Sequence, residues 1–167
     1  LEPKEVSEFF TQTTFVDEFD GSDLRLEWKW IDPKGDSSYI LPVVDLWLEI
    51  HDTSGNLNAP NLLQEISGDF AVETKIKSAV DGLPSVGGIL VWKDENNYVR
   101  FEKGMFSKDE ITLAGNIQGE FSYFGRGMLV SDIAYFRLER IGDRLSAYCS
   151  DDETNWMTCG ELRFPVD

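Results

Sequence analysis

Alternating apolar and polar residues mark many short segments of this chain. At its middle, residues 98–102 alternate, with Val99 and Phe101 on one side and polar or aromatic residues on the other. This period of two predicts a strand with one face in a core. The preceding segment 89–92 is continuously apolar, as in a strand covered on both sides, and the polar residues 93–97 form a turn. The stretch therefore predicts a hairpin whose outer face carries an aromatic ring, a cation and an anion.

Similar segments recur along the chain and are separated by turns rich in Gly, Pro, Asp and Asn. No segment keeps helical periodicity over about 11 residues. The pattern predicts an all-β fold, an antiparallel two-sheet β-sandwich over residues 15–167, after an N-terminal linker or docking segment at 1–14. The predicted strands lie at 15–19, 24–31, 39–41, 46–51, 62–66, 70–77, 89–92, 98–102, 135–140, 145–150 and 157–162. Shorter strands are predicted at 111–114, around Ile117, at 121–124 and at 128–130, in a region punctuated by glycines.

Charge narrows the range of partners. The chain has 167 residues, and 31 acidic against 15 basic side chains give a net charge of -16. Such a charge repels nucleic acid and anionic membranes, and it favours cations or neutral ligands such as sugars, or simply solubility. No apolar run approaches the roughly 20 residues that cross a bilayer, so no membrane insertion is expected. The first residue is Leu1 rather than Met, which indicates a processed protein or a piece of a longer one.

Several segments, taken in order, resemble the concanavalin A-like lectin/glucanase superfamily. More narrowly, they are similar to the DUF1349 type and to the accessory sandwich that follows the catalytic propeller in some β-xylosidases. The resemblance implies a jelly roll, commonly found in secreted carbohydrate-active proteins, that binds glycans on a concave sheet or serves as a structural companion. It implies an extracellular location and supplies no catalytic residues. The segments are FVDEFDG at 15–21, Trp28 and Trp30 with Asp32-Pro33, NLLQ at 61–64, GDFAVET at 68–74, GILVW at 88–92, DENNYV at 94–99, FRLER at 136–140 and AYCSD at 147–151 with Trp156.

The end of the chain departs from that family pattern. Family members continue with a further apolar strand that returns beside the first one, whereas this chain stops at Asp167. An uncovered strand at 15–19 would be an adhesive edge. Either the last strands are absent, or another domain, chain or fragment of the same protein supplies them; strand donation is thus a hypothesis.

Outward-facing side chains on the predicted strands, expected to share one sheet surface, form the candidate ligand-binding set. Aromatic rings stack on sugars, and charged groups bond to their hydroxyls. Cross-strand ion pairs are the alternative interpretation, and it stays open. Trp47 joins the set because its neighbours Leu46 and Leu48 already supply the apolar face of their strand. The other members are Glu73, Trp92, Tyr98, Arg100, Glu102, Arg137, Glu139 and Tyr148, with Lys75 beside them.

Two acidic clusters are candidate metal sites. Asp17, Glu18, Asp20 and Asp23 contain enough oxygen atoms for a structural Ca²⁺, although their spacing is not that of an EF-hand. Residues 151–153 form a second acidic cluster. A solvated turn is the alternative for both clusters.

Catalytic patterns are weak. Glycosidases of the superfamily place closely spaced acids on one strand as Glu-x-Asp-x-x-Glu, and no strand here has that pattern. His51 is the only histidine and has no obvious serine partner. The sequence therefore favours a non-catalytic carbohydrate-binding or accessory module. A glycoside hydrolase or lyase with an unrecognised carboxylate site, and a structural or assembly module, are the alternatives.

The two cysteines, Cys149 and Cys159, flank one turn. They can lie opposite each other on adjacent strands, and an extracellular location would favour a disulfide between them. Two buried thiols are the alternative.

Overall fold

The computed structural model describes residues 2–3, 10, 15–42, 45–50, 59–77 and 86–165. Within these ranges every regular element is a strand, and no helix is long and apolar enough to cross a membrane. The chain forms two compact units, one of residues 1–11 and 67–167 and one of residues 12–66. The strands are β1 Glu2–Pro3, β2 Lys29–Ile31, β3 Ser38–Ile40, β4 Trp47–Glu49, β5 Asn61–Leu63, β6 Phe70–Lys77, β7 Gly87–Asp94, β8 Asn97–Lys103, β9 Glu110–Ile117, β10 Glu120–Met128, β11 Ile133–Ile141, β12 Arg144–Ser150 and β13 Met157–Arg163.

The larger unit is a β-sandwich of two antiparallel sheets. One sheet has the strand order β1-β13-β12-β11-β6, and the other has the order β10-β9-β8-β7. Adjacent strands in the second sheet are successive in sequence, so tight turns suffice to connect them. The predicted all-β sandwich is thus confirmed, whereas the predicted boundaries at 1–14 and 15–167 stay a prediction.

Apolar residues from the inner faces of both sheets form the core. Alternation in β8 and β11 directs Val99, Phe101, Phe136 and Leu138 inward, and all four are fully buried. This is the arrangement that the period of two predicts for these strands. Further core residues come from β9, β12, β13 and the segments that flank them: Ile111, Leu113, Leu129, Leu145, Ala147, Cys149, Cys159, Leu162 and Phe164.

The two sheets approach most closely where β10 meets β13. Gly125 of β10 lies against the backbone of Cys159 and Gly160, and Gly160 lies against the carbonyl group of Phe124. A side chain at Gly125 would overlap the Cys159 carbonyl group. Glycine is therefore required here by the close approach of two backbones.

The turn between β11 and β12 is as tight as its sequence predicts. Ile141 pairs with Arg144, so only Gly142 and Asp143 connect the strands. Gly142 has φ of 61°, the left-handed region that suits this hairpin turn. Its amide donates a hydrogen bond of 2.7 Å to Asp69 Oδ1, which ties the turn to the start of β6.

The smaller unit contains two short antiparallel strand pairs, β2 with β5 and β3 with β4. The predicted strand at 15–19 is wrong, and only Lys29–Ile31 of the predicted strand at 24–31 is extended in a sheet. Phe15 and Phe19 instead pack on Trp28, with ring centroids 5.7 and 5.9 Å away. Their apolar spacing resembles that of a strand, but an aromatic cluster buries the same rings.

Candidate functional site

The candidate site is the outer face of the sheet β7–β10, called the β8 face below. Strand register places three rows of side chains across this face, because cross-strand partners point to the same side of a sheet. Around Arg100 and Glu102 the neighbours on β9 and β7 are mostly short. The rows are Trp92, Tyr98, Asn116 and Phe121; Leu90, Arg100, Ala114 and Tyr123; and Gly88, Glu102, Thr112 and Arg126.

Several polar atoms on the β8 face are buried without a hydrogen-bond partner. Arg100 is 9% exposed and Glu102 is 7% exposed, and Thr112 is fully buried. Arg100 Nη1 lies 3.7 Å from Glu102 Oε1, which is an ion pair but too long for a hydrogen bond. Arg100 Nε and Nη2, Glu102 Oε1 and Thr112 Oγ1 have no hydrogen-bond partner. Each such atom lowers the stability of the folded protein by about 1–3 kcal/mol, and no hydrogen bond within the protein offsets this cost.

Burial also changes the protonation of this face. Loss of solvent around Glu102 raises the pKa of its carboxyl group, and the positive charge of Arg100 offsets only part of that effect. Desolvation disfavours the charged form of a carboxylic acid. Glu102 therefore takes up a proton more readily than an exposed glutamate does.

Aromatic side chains flank the buried polar groups on both sides. Trp92 of β7 stacks on Tyr98 at 5.7 Å between ring centroids, and Trp92 is 40% exposed while Tyr98 is buried. On β10, Phe121 and Tyr123 meet edge to face at 5.4 Å, and Tyr123 is 47% exposed. The buried polar residues Arg100, Glu102 and Thr112, called the polar floor below, are thus bordered by exposed aromatic rings.

A bulge in β10 brings Tyr123 and Arg126 to the same face. They are three residues apart, so regular alternation would place them on opposite faces. The register shifts between Tyr123 and Gly125, and this extra residue restores the outward direction of Arg126. Arg126 Nη2 then lies 2.6 Å from Glu110 Oε1, and its guanidinium carbon lies 4.9 Å from the ring centroid of Phe106.

The outer face of the other sheet carries a similar Arg–Glu pair whose side chains are joined by a hydrogen bond. Arg137 Nε donates to Glu139 Oε1 at 2.7 Å, and Arg137 Nη1 donates to Glu73. Burial alone would lower the pKa of Arg137, but the hydrogen bonds to Glu139 and Glu73 outweigh it and raise that pKa. Arg137 is thus hydrogen-bonded to Glu139 and Glu73, whereas Arg100 and Glu102 on the β8 face are not hydrogen-bonded to each other.

The structure therefore separates residues that the sequence placed on one surface. Trp92, Tyr98, Arg100 and Glu102 lie together on the β8 face. The expectation of one shared surface is wrong for the remaining sandwich residues, because β6, β11 and β12 belong to the other sheet, and the outer faces of a sandwich point away from each other. Trp47 lies on β4 in the smaller unit. The residues on the second sheet are Glu73, Lys75, Arg137, Glu139 and Tyr148.

Sequence reasoning missed the contribution of β9 and β10. Thr112, Phe121, Tyr123 and Arg126 complete the rows of the β8 face, yet none was a candidate. One usable signal was the alternation of Thr112 with buried apolar neighbours. The spacing of Phe121 and Tyr123, two residues apart, was another, since it places both rings on one side of a strand.

The acidic residues 17–23 are not gathered into a cluster of three or more possible metal ligands in the described part of the chain. Asp17 accepts hydrogen bonds from Trp28 Nε1 at 2.7 Å and from the Phe19 amide at 2.9 Å, so its carboxylate already holds the aromatic cluster together. Across the part of the chain that the structure describes, no three His, Cys, Asp or Glu side chains come together. The Ca²⁺ expected at Asp17, Glu18, Asp20 and Asp23 stays a prediction.

The remaining acidic turn, at residues 151–153, is held by its own hydrogen bonds. Asp152 Oδ1 accepts hydrogen bonds from the amides of Thr154 and Asn155, at 2.9 and 2.7 Å. Together with the side chain of Asn155, these bonds lower the pKa of Asp152 and fix the turn. His51 lies outside the described residues.

The two cysteines are free thiols, so the disulfide favoured by the sequence is not formed in the structure. A bulge in β13 explains this. Ala147 pairs with Gly160 and Tyr148 pairs with Thr158, which leaves Cys159 as the extra residue and places Cys149 opposite Met157. The interaction with the neighbouring Cys149 thiol, together with burial, raises the pKa of Cys159.

Comparison with known proteins gives a family and a fold. The model of the family described as "Protein of unknown function (DUF1349)" matches residues 39–166. No curated protein matches the chain. The structure of the GH43 BlXynB protein from Bacillus licheniformis aligns with 89% of this chain at a TM-score of 0.70 and 18% identity, and the match covers 30% of that protein.

Two further solved structures agree. A mutant of the same Bacillus licheniformis protein aligns with 92% of this chain at a TM-score of 0.71 and 17% identity, over 32% of its own length. A functionally unknown protein from Saccharomyces cerevisiae aligns with 84% of this chain at a TM-score of 0.56 and 15% identity, over 81% of its own length. These likenesses show the fold, and the chain spans about a third of the length of the Bacillus protein.

Proposed function

The chain belongs to the family described as "Protein of unknown function (DUF1349)", and from that premise we propose that it is a carbohydrate-binding, non-catalytic accessory module of an extracellular carbohydrate-active protein. The observation that supports this proposal is the unpaired polar floor of the β8 face. Arg100, Glu102 and Thr112 keep four buried atoms without hydrogen bonds, beside exposed aromatic rings.

Sugars match this combination of groups. The C–H faces of a pyranose pack on aromatic rings, and its hydroxyls donate and accept hydrogen bonds at the same time. Tyr123 and Trp92 supply the rings, and Arg100, Glu102 and Thr112 supply donors and acceptors. Few other neutral ligands offer both properties.

The solved structure with a similar fold is consistent with this function. It is called a GH43 protein, and the present chain spans only about a third of its length. Within the proposal, this chain is a companion of another domain that acts on carbohydrate, and its partners are a glycan and that domain. The activity of the longer protein is not assigned to this chain.

A glycan array tests the proposal. The 167-residue chain is applied with calcium and again with a chelator, since the calcium predicted at 17–23 belongs to the same hypothesis. Tyr123→Ala removes a ring from the β8 face and is expected to weaken binding by about 2- to 10-fold. Tyr135→Ala removes a partly buried ring from the outer face of the other sheet and is the matched control.

Four results would contradict the proposal or its site. If the folded chain binds no glycan in either buffer, the proposed carbohydrate-binding function is wrong. If Tyr123→Ala and Tyr135→Ala weaken binding equally, the β8 face is not the binding site. Release of reducing sugar from a bound glycan would identify a glycoside hydrolase instead. Loss of binding only in chelator would move the site to the calcium cluster.

A further inference from the structure

The unpaired groups on the β8 face have a defined chemical pattern. Arg100 Nη1 faces Glu102, while Nε and Nη2 have no partner. In a guanidinium, the N–H bonds of Nε and Nη2 lie parallel along one edge, which is the fork that binds two oxygens side by side. Two ligand groups present oxygens at that spacing, namely a carboxylate and a pair of hydroxyls on neighbouring carbons.

Glu102 and Thr112 distinguish between these two ligand groups. Glu102 Oε1 is an unpaired buried acceptor, and Thr112 Oγ1 is an unpaired hydroxyl that donates or accepts. A ligand carboxylate only accepts, so it would leave Glu102 without a donor and would place a second negative charge beside it. A hydroxyl accepts from Arg100 and donates to Glu102 through the same oxygen.

The charge of the whole chain acts in the same direction. With a net charge of -16, the protein repels anionic ligands at long range. Glu110 adds a buried carboxylate to the same face, and its ion pair with Arg126 occupies the nearest exposed cation of that face. The electrostatic environment therefore disfavours an acidic sugar.

We propose that the β8 face binds neutral saccharides through two hydroxyl groups on adjacent carbons, held by the Nε–Nη2 edge of Arg100 with Glu102 and Thr112, and that it discriminates against uronic acids. This inference rests on the proposed function and assigns its ligand class and the residues that determine specificity. The small cross-strand neighbours Ala114 and Gly88 do not provide the missing hydrogen-bond partners of Arg100 and Glu102.

Titration calorimetry tests the inference with two probes. The first is the neutral oligosaccharide that gives the strongest array signal, and the second is the same oligosaccharide with its primary alcohol oxidised to a carboxylate. Arg100→Lys keeps the charge and removes the fork, so neutral binding is expected to weaken by about 10-fold or more. Arg144→Lys, at an exposed position on the other sheet, is the control.

Thr112→Val is the second variant and protects the test against misfolding. The change is nearly isosteric and removes a buried hydroxyl without a partner in the protein. Thermal unfolding is expected to occur at the same or a higher temperature, while the affinity for the neutral sugar falls. A purely structural threonine would not lower affinity while maintaining stability.

Each outcome either supports or overturns the inference. Preference for the neutral probe with weaker binding in both variants supports the inference. Equal or tighter binding of the oxidised probe overturns it, and so does unchanged neutral binding in both variants, although the proposed function then survives. If no glycan binds the folded chain, the proposed function itself fails, and the inference fails with it.

Discussion

Phe101 and Phe136 stack across the interface between the two sheets, with ring centroids 4.2 Å apart and an angle of 28° between the rings. Both are fully buried and lie on the central strands β8 and β11. Because strand side chains alternate, this stack also directs Arg100 and Arg137 to opposite outer faces. The same contact that joins the sheets therefore sets the position of the β8 face.

We expect Phe101→Ala or Phe136→Ala to lower the free energy of unfolding by about 3–5 kcal/mol, because each leaves a large cavity in a closely packed core. Urea unfolding measures the change. Phe121→Ala, on an exposed ring of β10, is the control and is expected to cost less than about 1.5 kcal/mol. Equal costs at all three positions would contradict the assignment of the stack as the centre of the core.

Gly125 provides a second prediction, about the close approach of β10 and β13. Gly125→Ala would place a methyl group against the Cys159 carbonyl, so the sheets must separate, at a cost of about 1–3 kcal/mol. Gly87→Ala is the matched control, because nothing lies within 4 Å of an added methyl group there. That change is expected to be neutral or slightly stabilising. A neutral Gly125→Ala variant would show that the two sheets do not touch at this point.

The two buried Arg–Glu pairs are predicted to differ in coupling energy. Arg137 and Glu139 are joined by a hydrogen bond of 2.7 Å, whereas Arg100 and Glu102 are 3.7 Å apart without one. Double-mutant cycles with Met for Arg and Gln for Glu are expected to give about 1.5–3 kcal/mol for the first pair and less than about 1 kcal/mol for the second. Equal coupling energies would mean that Arg100 and Glu102 serve stability as Arg137 and Glu139 do.

The strands with regular alternation could be predicted from the sequence, and the site could be predicted only in part. Residues 70–77 and 98–102 keep a strict period of two, and they appear in the structure as β6 and β8. The short strands predicted at 111–114 and 121–124 cover only parts of β9 and β10, because the bulge before Gly125 breaks that period and glycines interrupt the apolar runs. Local patterns do not record a bulge that depends on a neighbouring strand.

Whether buried polar atoms form hydrogen bonds is harder still to predict from the sequence. The stretches around Arg100 and Arg137 both read Arg-x-Glu between buried aromatic or aliphatic residues. Only the neighbouring strand distinguishes them, since Glu73 lies beside Arg137 while Leu90 and Ala114 lie beside Arg100. Which pair is satisfied is therefore a property of strand register, and sequence periodicity does not fix register between distant strands.

The cysteines allow a direct chemical measurement. Cys149 and Cys159 are buried, and the interaction with Cys149, together with burial, raises the pKa of Cys159 and keeps its thiol protonated. Because the thiolate is the reactive form, we expect a thiol reagent to label neither residue in the native protein. In guanidinium chloride, protein purified without reductant is expected to show both free thiols. Absence of free thiols after unfolding would instead demonstrate the disulfide that the sequence favoured.

Glu102 provides a prediction about pH. Burial raises the pKa of Glu102 above its ordinary value of 4.5, with partial opposition from Arg100. Between the pKa values of the unfolded and folded states, the folded protein binds a proton that the unfolded chain has released. The contribution of Glu102 to stability is therefore complete below the unfolded pKa and is lost as the pH rises through the folded pKa.

Glu102→Gln isolates this effect, because glutamine stays neutral at every pH. We expect the variant to gain stability relative to the wild-type protein as the pH rises from about 4 to about 8, as measured by urea unfolding at each pH. Asp152, whose pKa is lowered, acts in the opposite direction, but it is present in both proteins and cancels in the difference. A stability difference that does not change with pH would show that Glu102 is solvated in the folded state. The polar floor of the β8 face would then be open to water. Its atoms would be hydrogen-bonded to water, and a ligand would gain no affinity by relieving unpaired buried groups.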